Sequence, residues 1–239
     1  YGGEEKILRL DMSEYTDDAG VRRLLGAPPG SGEERGELTD KIHDNPYTLV
    51  FLDEFEKAHP KILDLFLQVL ADGRLTDNKG KTVSFANAII IATSNAGSEF
   101  IREAVQKGIV VDASFQKQLL DYLQTINLFK PELLNRFDAV VTFQPLSLVQ
   151  IQEVAKLMLT EVQHRLARQD ISVMFDEQLL DLVAKNRYDE QFRARPLRRY
   201  IQDTIEDMIA KLELEEKLKR GSSITFSVDA HEGITSQIQ

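Results

Sequence analysis

The sequence predicts an α/β fold, a parallel sheet flanked by helices, followed by a smaller, mainly α domain with short strands. Two observations carry the first half of that reading. Four short apolar runs, ILRL at 7–10, TLVFL at 48–52, AIIIAT at 88–93 and VVTF at 140–143, lack polar alternation. Such runs suit strands of a parallel sheet covered on both faces. Helical patterns separate them, as crossover connections require. A third observation carries the second half: after FQPLS at 143–147 the texture turns to long helical periods broken by short strand candidates.

Taken in order, the run at 48–52 ends in two adjacent acids, Asp53 and Glu54. The next helix is legible in HPKILDLFLQVLADGRL: Pro60 suits a first turn, Leu63, Phe66, Leu67 and Leu70 recur at helical spacing, and Gly73 can close it. The run at 88–93 ends in a polar tip, Thr93, Ser94 and Asn95. Beyond residue 148, Ile151, Val154, Leu157, Met158, Val162 and Leu166 set a helical period. A strand at 171–175, a helix from about 176, a charged helix at 196–220 and a strand at 223–228 follow. The expected division is 1–145 for the α/β domain, 146–229 for the small domain and 230–239 for a frayed tail. The apolar stripe Leu179, Leu180, Leu182 and Val183 reads as core rather than a groove.

Apolar residues at 42% and charged residues at 28% are ordinary for a globular chain of 239 residues. The net charge of -10 argues against a general nucleic-acid or anionic-membrane binder. There is no cysteine, hence no disulfide, thiolate metal site or cysteine nucleophile, which is compatible with a reducing cytoplasm. No apolar run is long enough to cross a bilayer. His43, His59, His164 and His231 are scattered without metal-ligand spacing.

Chemistry is expected where the polar tips meet. A buried strand that delivers paired acids to its C-terminal end can hold Mg²⁺ through Asp53 and use Glu54 to polarise a water for attack on a phosphate. Acids at a strand end are also ordinary turn residues, and Ser-Asn after a strand is ordinary turn chemistry. Neighbouring parallel strands bring their tips together, so the Asn95 amide could orient the same water. Arg136, in PELLNRFD, and Arg193, Arg195, Arg198 and Arg199, in RARPLRR, supply the cations that phosphoryl transfer needs, although a lone arginine is commonly a solvated surface residue.

The order LDMSEY, GAPPG, LVFLDEFEKAHP, DGRLTDNKGKTVSF, IIIATSNAGS, FKPELLNRFD and ARPLRR resembles the second AAA+ module of the Clp/ClpB-type unfoldases, over residues 7–228. The resemblance implies an ATP- and Mg²⁺-dependent, cytoplasmic ring subunit that threads unfolded or aggregated proteins through a central pore. By its motifs, Asp53 and Glu54 are the Walker B pair, Asn95 the sensor-1 residue, Arg136 the arginine finger acting on a neighbour's nucleotide in a hexamer, and Arg195 the sensor-2 arginine. Residues 146–228 match the small subdomain that closes over the nucleotide.

Three departures stand out. The chain starts where the family has passed its opening strand and phosphate loop, and no G-x-x-x-x-G-K-[ST] occurs in it. A gap in the sheet is therefore expected, and a chain that does not hydrolyse ATP alone. Where the family carries an aromatic pore loop, the sequence reads GSGEERGELTD, and Gly30, Ser31 and Gly32 read as a natural short loop or a linker. Lys107, Gly108 and Ile109 match the protease-docking tripeptide of some members poorly, which leaves docking to a ClpP-type protease unsupported. The rival reading is a non-catalytic interaction or scaffold domain that has kept inherited acids and arginines.

Overall fold

The structure, a computed structural model, describes residues 3–26, 30, 35–186, 195–229 and 233–238. It divides into two compact units, Tyr1–Phe143 and Gln144–Gln239. The first is built from β1 (Ile7–Asp11), α1 (Asp18–Leu25), α2 (Thr39–Asp44), β2 (Leu49–Asp53), α3 (Pro60–Asp72), the hairpin β3 (Arg74–Thr76) and β4 (Thr82–Ser84), β5 (Ile89–Ala92), α4 (Ser98–Gln106), α5 (Ala113–Thr125) and α6 (Pro131–Leu134). The sheet has the order β1-β2-β5, all parallel. Its register aligns Leu10 with Leu52 and Ala92, and Arg9 with Phe51 and Ile91.

Because side chains alternate along a strand, these rows point to opposite faces. Leu10, Val50 and Leu52 are buried against α1, α2 and α3 through Leu24, Ile42, Ile62 and Phe66. Arg9, Ile89 and Ile91 on the other face are exposed. The sheet is therefore covered more fully on one face than the unbroken apolar runs suggest.

Helix α3 starts at Pro60 behind His59, whose Nδ1 accepts the Lys61 N–H, and ends at Gly73 with φ 64°. That left-handed position costs glycine nothing, which is why the helix stops there. Its deepest face is Ile62, Phe66 and Val69, with Leu63, Leu67 and Leu70 half-buried beside them. Phe66 is thus buried as predicted, while Ile62 and Val69 lie deeper than the predicted Leu63 and Leu70 beside them.

The run at 140–143 is no strand. The Gln116 side-chain amide donates to the Val140 carbonyl, and Val141 and Phe143 are 71% and 76% exposed. A strand exists only with a neighbour to hydrogen-bond, and none lies alongside it among the described residues. For the same reason β5 is an edge, paired with β2 alone among those residues.

The second unit contains α7 (Leu148–Ala167), β6 (Ser172–Phe175), α8 (Glu177–Asn186), α9 (Arg195–Ile201), α10 (Asp207–Leu214), β7 (Ser223–Val228) and β8 (Ile234–Ile238). A capping box opens α7: Ser147 accepts the Gln150 N–H while the Gln150 side chain accepts the Ser147 N–H. Its core joins Ile151, Leu159, Val162, Leu179, Val183, Ile205 and Phe226. The stripe at 179–183 is core, as expected, but Leu157 is 66% exposed. The long charged helix is interrupted by a π turn at Gln202–Glu206 and ends at Leu214, short of residue 220. The expected frayed tail instead pairs antiparallel with β7 as β8, with Ile234 and Ile238 packed on this core and Thr235 and Gln237 exposed on the alternate face. Ser31, Gly32, Arg193 and His231 lie outside the described residues.

One polar cluster braces the first unit. Tyr15 is 3% exposed, its hydroxyl donates to Glu37, and the Arg23 guanidinium lies 4.0 Å over its ring. Burial first, then the Glu37 hydrogen bond, pushes the phenol up to about 12. The folded state therefore favours the neutral ring above the phenol's ordinary value of 10.0. That contribution is fully present below about pH 10 and is lost as pH rises through about 12. Tyr15→Phe cannot titrate, so the stability gap between wild type and Tyr15→Phe should close between about pH 10 and 12. Urea midpoints at pH 8 and pH 11 test this; a gap unchanged across that window would contradict it.

Candidate functional site

Strand register brings the acidic tip together. Asp53 ends β2 beside Asp11, which ends β1. One carboxylate oxygen of Asp53, Oδ1, accepts the Thr93 hydroxyl at 2.6 Å, and Oδ2 is bridged by Arg9 Nη2 at 2.6 Å. The Arg9 guanidinium also lies 5.5 Å from the Phe51 ring centroid, across the strand pair. The Thr93 hydrogen bond first, and the Arg9 guanidinium next, hold the Asp53 carboxyl below its ordinary range. Asp53 is thus a fixed, ionised carboxylate.

Glu54 follows with φ 52° and ψ 49°, a left-handed backbone for a residue with a side chain. Such conformations cost about 1–3 kcal/mol and persist only where neighbours over-determine them. Here the neighbours are visible: the Glu54 N–H donates to Thr93 Oγ1 at 3.2 Å, and the Phe55 N–H donates to the Thr93 carbonyl at 2.9 Å. The turn swings the Glu54 carboxylate toward the next strand tip. Its Oε1 accepts the Asn95 Nδ2 at 3.2 Å and its Oε2 is bridged by Lys57 Nζ at 2.7 Å. Glu54 in turn pushes the Lys57 ammonium upward. Glu56 Oε1 accepts the Asn95 N–H at 3.0 Å, which anchors the amide from behind.

Below the turn, Phe55 packs edge-on to Phe66 at 5.6 Å, stacks on Phe129 at 6.0 Å and meets Phe137 edge-on at 6.4 Å. Phe137 follows Arg136 directly, so this cluster anchors the arginine's segment beneath the acidic turn. Arg136 itself is exposed and makes no ion pair among the described residues. Asp53, Glu54 and Asn95 are therefore brought together, and Arg136 is not joined to them by any hydrogen bond. Arg195 begins α9 in the second unit, and its side chain lies outside what is described. Arg198 and Arg199 are exposed on α9.

Arg9 and Thr93 had no assigned role on sequence grounds. Their partners are 44 and 40 residues away, and only the register reveals them.

The donor set suits Mg²⁺ held beside a phosphate. Mg²⁺ keeps most of its waters and takes one or two carboxylates plus phosphate oxygens. One orientated, ionised carboxylate at Asp53 fits that pattern, and no cluster of three His, Asp or Glu able to form an all-protein cage occurs among the described residues. No helix among them is long and apolar enough to cross a membrane.

Residues 1–140 match the model of the AAA domain (Cdc48 subfamily), and residues 146–226 match that of the C-terminal, D2-small domain of ClpB protein. The chain is similar to the chaperone protein ClpB of Clostridium tetani, 41% identical over 240 residues, taking in 100% of this chain and 27% of that protein. It is 40% identical over 231 residues to chaperone protein ClpB of Staphylococcus epidermidis, covering 96% of this chain and 26% of the relative. For chaperone protein ClpB of Staphylococcus aureus strain COL the identity is 37% over 241 residues, with 100% of this chain and 28% of the relative covered. The chain thus spans about a quarter of the length of the curated relatives it matches.

Proposed function

The chain belongs to the AAA family as a ClpB-type C-terminal module, and from that premise we propose that it is the second nucleotide-hydrolysing part of an ATP-dependent protein unfoldase or disaggregase. The family implies use of a nucleotide and Mg²⁺. In this reading Asp53 holds Mg²⁺ through water, Glu54 draws the proton from the attacking water, and Asn95 orients that water. Bound Mg²⁺ supplies charge neutralisation on the phosphate oxygens. Arg136 serves nucleotide held by the next subunit of a hexameric ring, and Arg195 is a further nucleotide-binding cation. Substrates are unfolded or aggregated proteins in the cytoplasm.

The observation that carries the reading is the contact of Asn95 Nδ2 with Glu54 Oε1 at 3.2 Å, next to an Asp53 fixed from two sides. A base, an orienting amide and a cation-binding carboxylate on adjacent parallel strand tips are what water attack on a phosphate requires.

A mixing experiment in the full-length protein tests both the site and its division between subunits. Arg136→Ala and Glu54→Gln proteins should each lose the share of ATP hydrolysis that this module contributes, the comparison being made with the other hydrolysing part disabled in every protein tested. A mixed ring contains interfaces where the intact glutamate of one subunit meets the intact arginine of the other, and these should recover activity of about a quarter of wild type or less, because only such pairings are complete. Inactivity of every mixture, with rings formed, would refute the shared site. A wild-type protein that binds partners without hydrolysing ATP would favour the interaction-domain reading instead.

A further inference from the structure

Thr93 makes four hydrogen bonds to one turn. Its N–H donates to the Leu52 carbonyl at 2.8 Å, its carbonyl accepts the Phe55 N–H at 2.9 Å, its hydroxyl accepts the Glu54 N–H at 3.2 Å, and the same hydroxyl donates to Asp53 Oδ1 at 2.6 Å. One donor hydrogen and two lone pairs are what a hydroxyl offers, so both side-chain bonds are made at once. Four consecutive residues, 52–55, are therefore held by one residue on the neighbouring strand.

We infer that Thr93 is a positioning residue for water attack, holding the Glu54 backbone in its left-handed conformation and presenting Asp53 with its Oδ1 tethered. It touches neither nucleotide nor water in this account. It acts by deciding where two carboxylates stand.

The backbone bonds of Thr93 survive any substitution that keeps the strand, whereas the two hydroxyl bonds do not. Losing the hydroxyl leaves the Glu54 N–H without its acceptor at the residue whose conformation is least favourable, so the turn should open locally before the fold as a whole does. A valine has nearly the same volume as threonine and cannot make either bond. A serine makes both and lacks only the methyl group.

The test uses Thr93→Val, Thr93→Ala and Thr93→Ser in the 239-residue chain, with amide hydrogen exchange read at Glu54 and at Val50 as a control in the same strand. The Glu54 amide should exchange at least about fivefold faster in the valine and alanine variants and return near the wild-type rate in serine, with Val50 unchanged. Equal Glu54 rates in all four proteins, or a serine variant that behaves like alanine, would overturn the inference. So would valine and alanine chains that fail to fold while serine folds, since the hydroxyl would then support the whole fold.

The catalytic half of the inference rests on the ATPase reading. In the full-length protein with its other hydrolysing part disabled, Thr93→Val should lower kcat at this site about tenfold with KM within about twofold, and serine should restore it; loss confined to KM would overturn that half. Failure of the ATPase reading is separately visible, because Glu54→Gln would then leave hydrolysis intact while the exchange pattern in the 239-residue chain stayed as expected.

Discussion

Glu54→Gln in the full-length protein should lower ATP turnover at this site by about 10²- to 10⁴-fold, the range a positioned general base supplies, while nucleotide affinity changes by less than about threefold. The two effects separate because the substitution is nearly isosteric. Gln retains an oxygen to accept the Asn95 amide, which the structure places at 3.2 Å from Glu54 Oε1. It has the same difficulty as glutamate with φ near 52°, so the turn and Asp53 are left as they are. What it loses is the ability to take a proton. It also loses the bridge to Lys57, but that pair is largely exposed, with 51% of the Lys57 side-chain surface accessible. Exposed pairs contribute about 0–1 kcal/mol, too little to account for the expected loss. Steady-state hydrolysis alongside titration with a fluorescent nucleotide decides the matter. Turnover within threefold of wild type would remove Glu54 from its role, and loss of binding in parallel with turnover would mean that the carboxylate serves the nucleotide rather than the water.

The strands β1, β2 and β5 were legible because each is a short apolar run closed by polar residues, and the pair Asp53-Glu54 and the tip Asn95 stood out for the same reason. What pairs with what was less legible. VVTF has the composition of a strand, but composition does not supply a neighbour, and its Val140 carbonyl is taken by the side chain of Gln116 instead. The opposite error occurred at β8, where Thr235, Ser236 and Gln237 look like tail residues and become a strand because β7 offers an open edge. In α3 the apolar residues are so frequent that two adjacent stripes fit the helical period, and packing against the sheet chose the one with Ile62, Phe66 and Val69.

At the site, residue types were readable and their partners were not. Arg9 lies on β1, and only the pairing of Asp11 with Asp53 brings its guanidinium onto the Asp53 carboxylate. The left-handed turn at Glu54 was invisible, since glutamate has no propensity for it. It is imposed by Thr93 and by the burial of the next residue, Phe55.

Phe55→Ala should destabilise the first unit by about 3–5 kcal/mol, the usual cost of emptying a phenylalanine site in a packed core. Phe55 is 2% exposed and makes ring contacts with Phe66, Phe129 and Phe137, so no single neighbour can move in to fill the space without giving up another contact. Domains of this size have net stabilities of about 5–15 kcal/mol, so such a loss takes a large share of the whole. Phe55→Leu keeps most of the volume and should cost clearly less, about 1–2 kcal/mol. The second unit has its own core around Leu179, Val183 and Phe226. Hydrogen exchange should consequently accelerate in β2, β5 and α3 of the alanine variant and stay near wild type in α7, β6 and β7. The site should suffer with the core, because the same residue that fills the aromatic cluster donates its N–H to the Thr93 carbonyl and carries the turn that holds Glu54. A urea midpoint lowered no further by alanine than by leucine would mean that the aromatic cluster is loosely packed. Acceleration spread evenly over both units would mean that they unfold as one cooperative body, and a mutation at the site would then be felt throughout the chain.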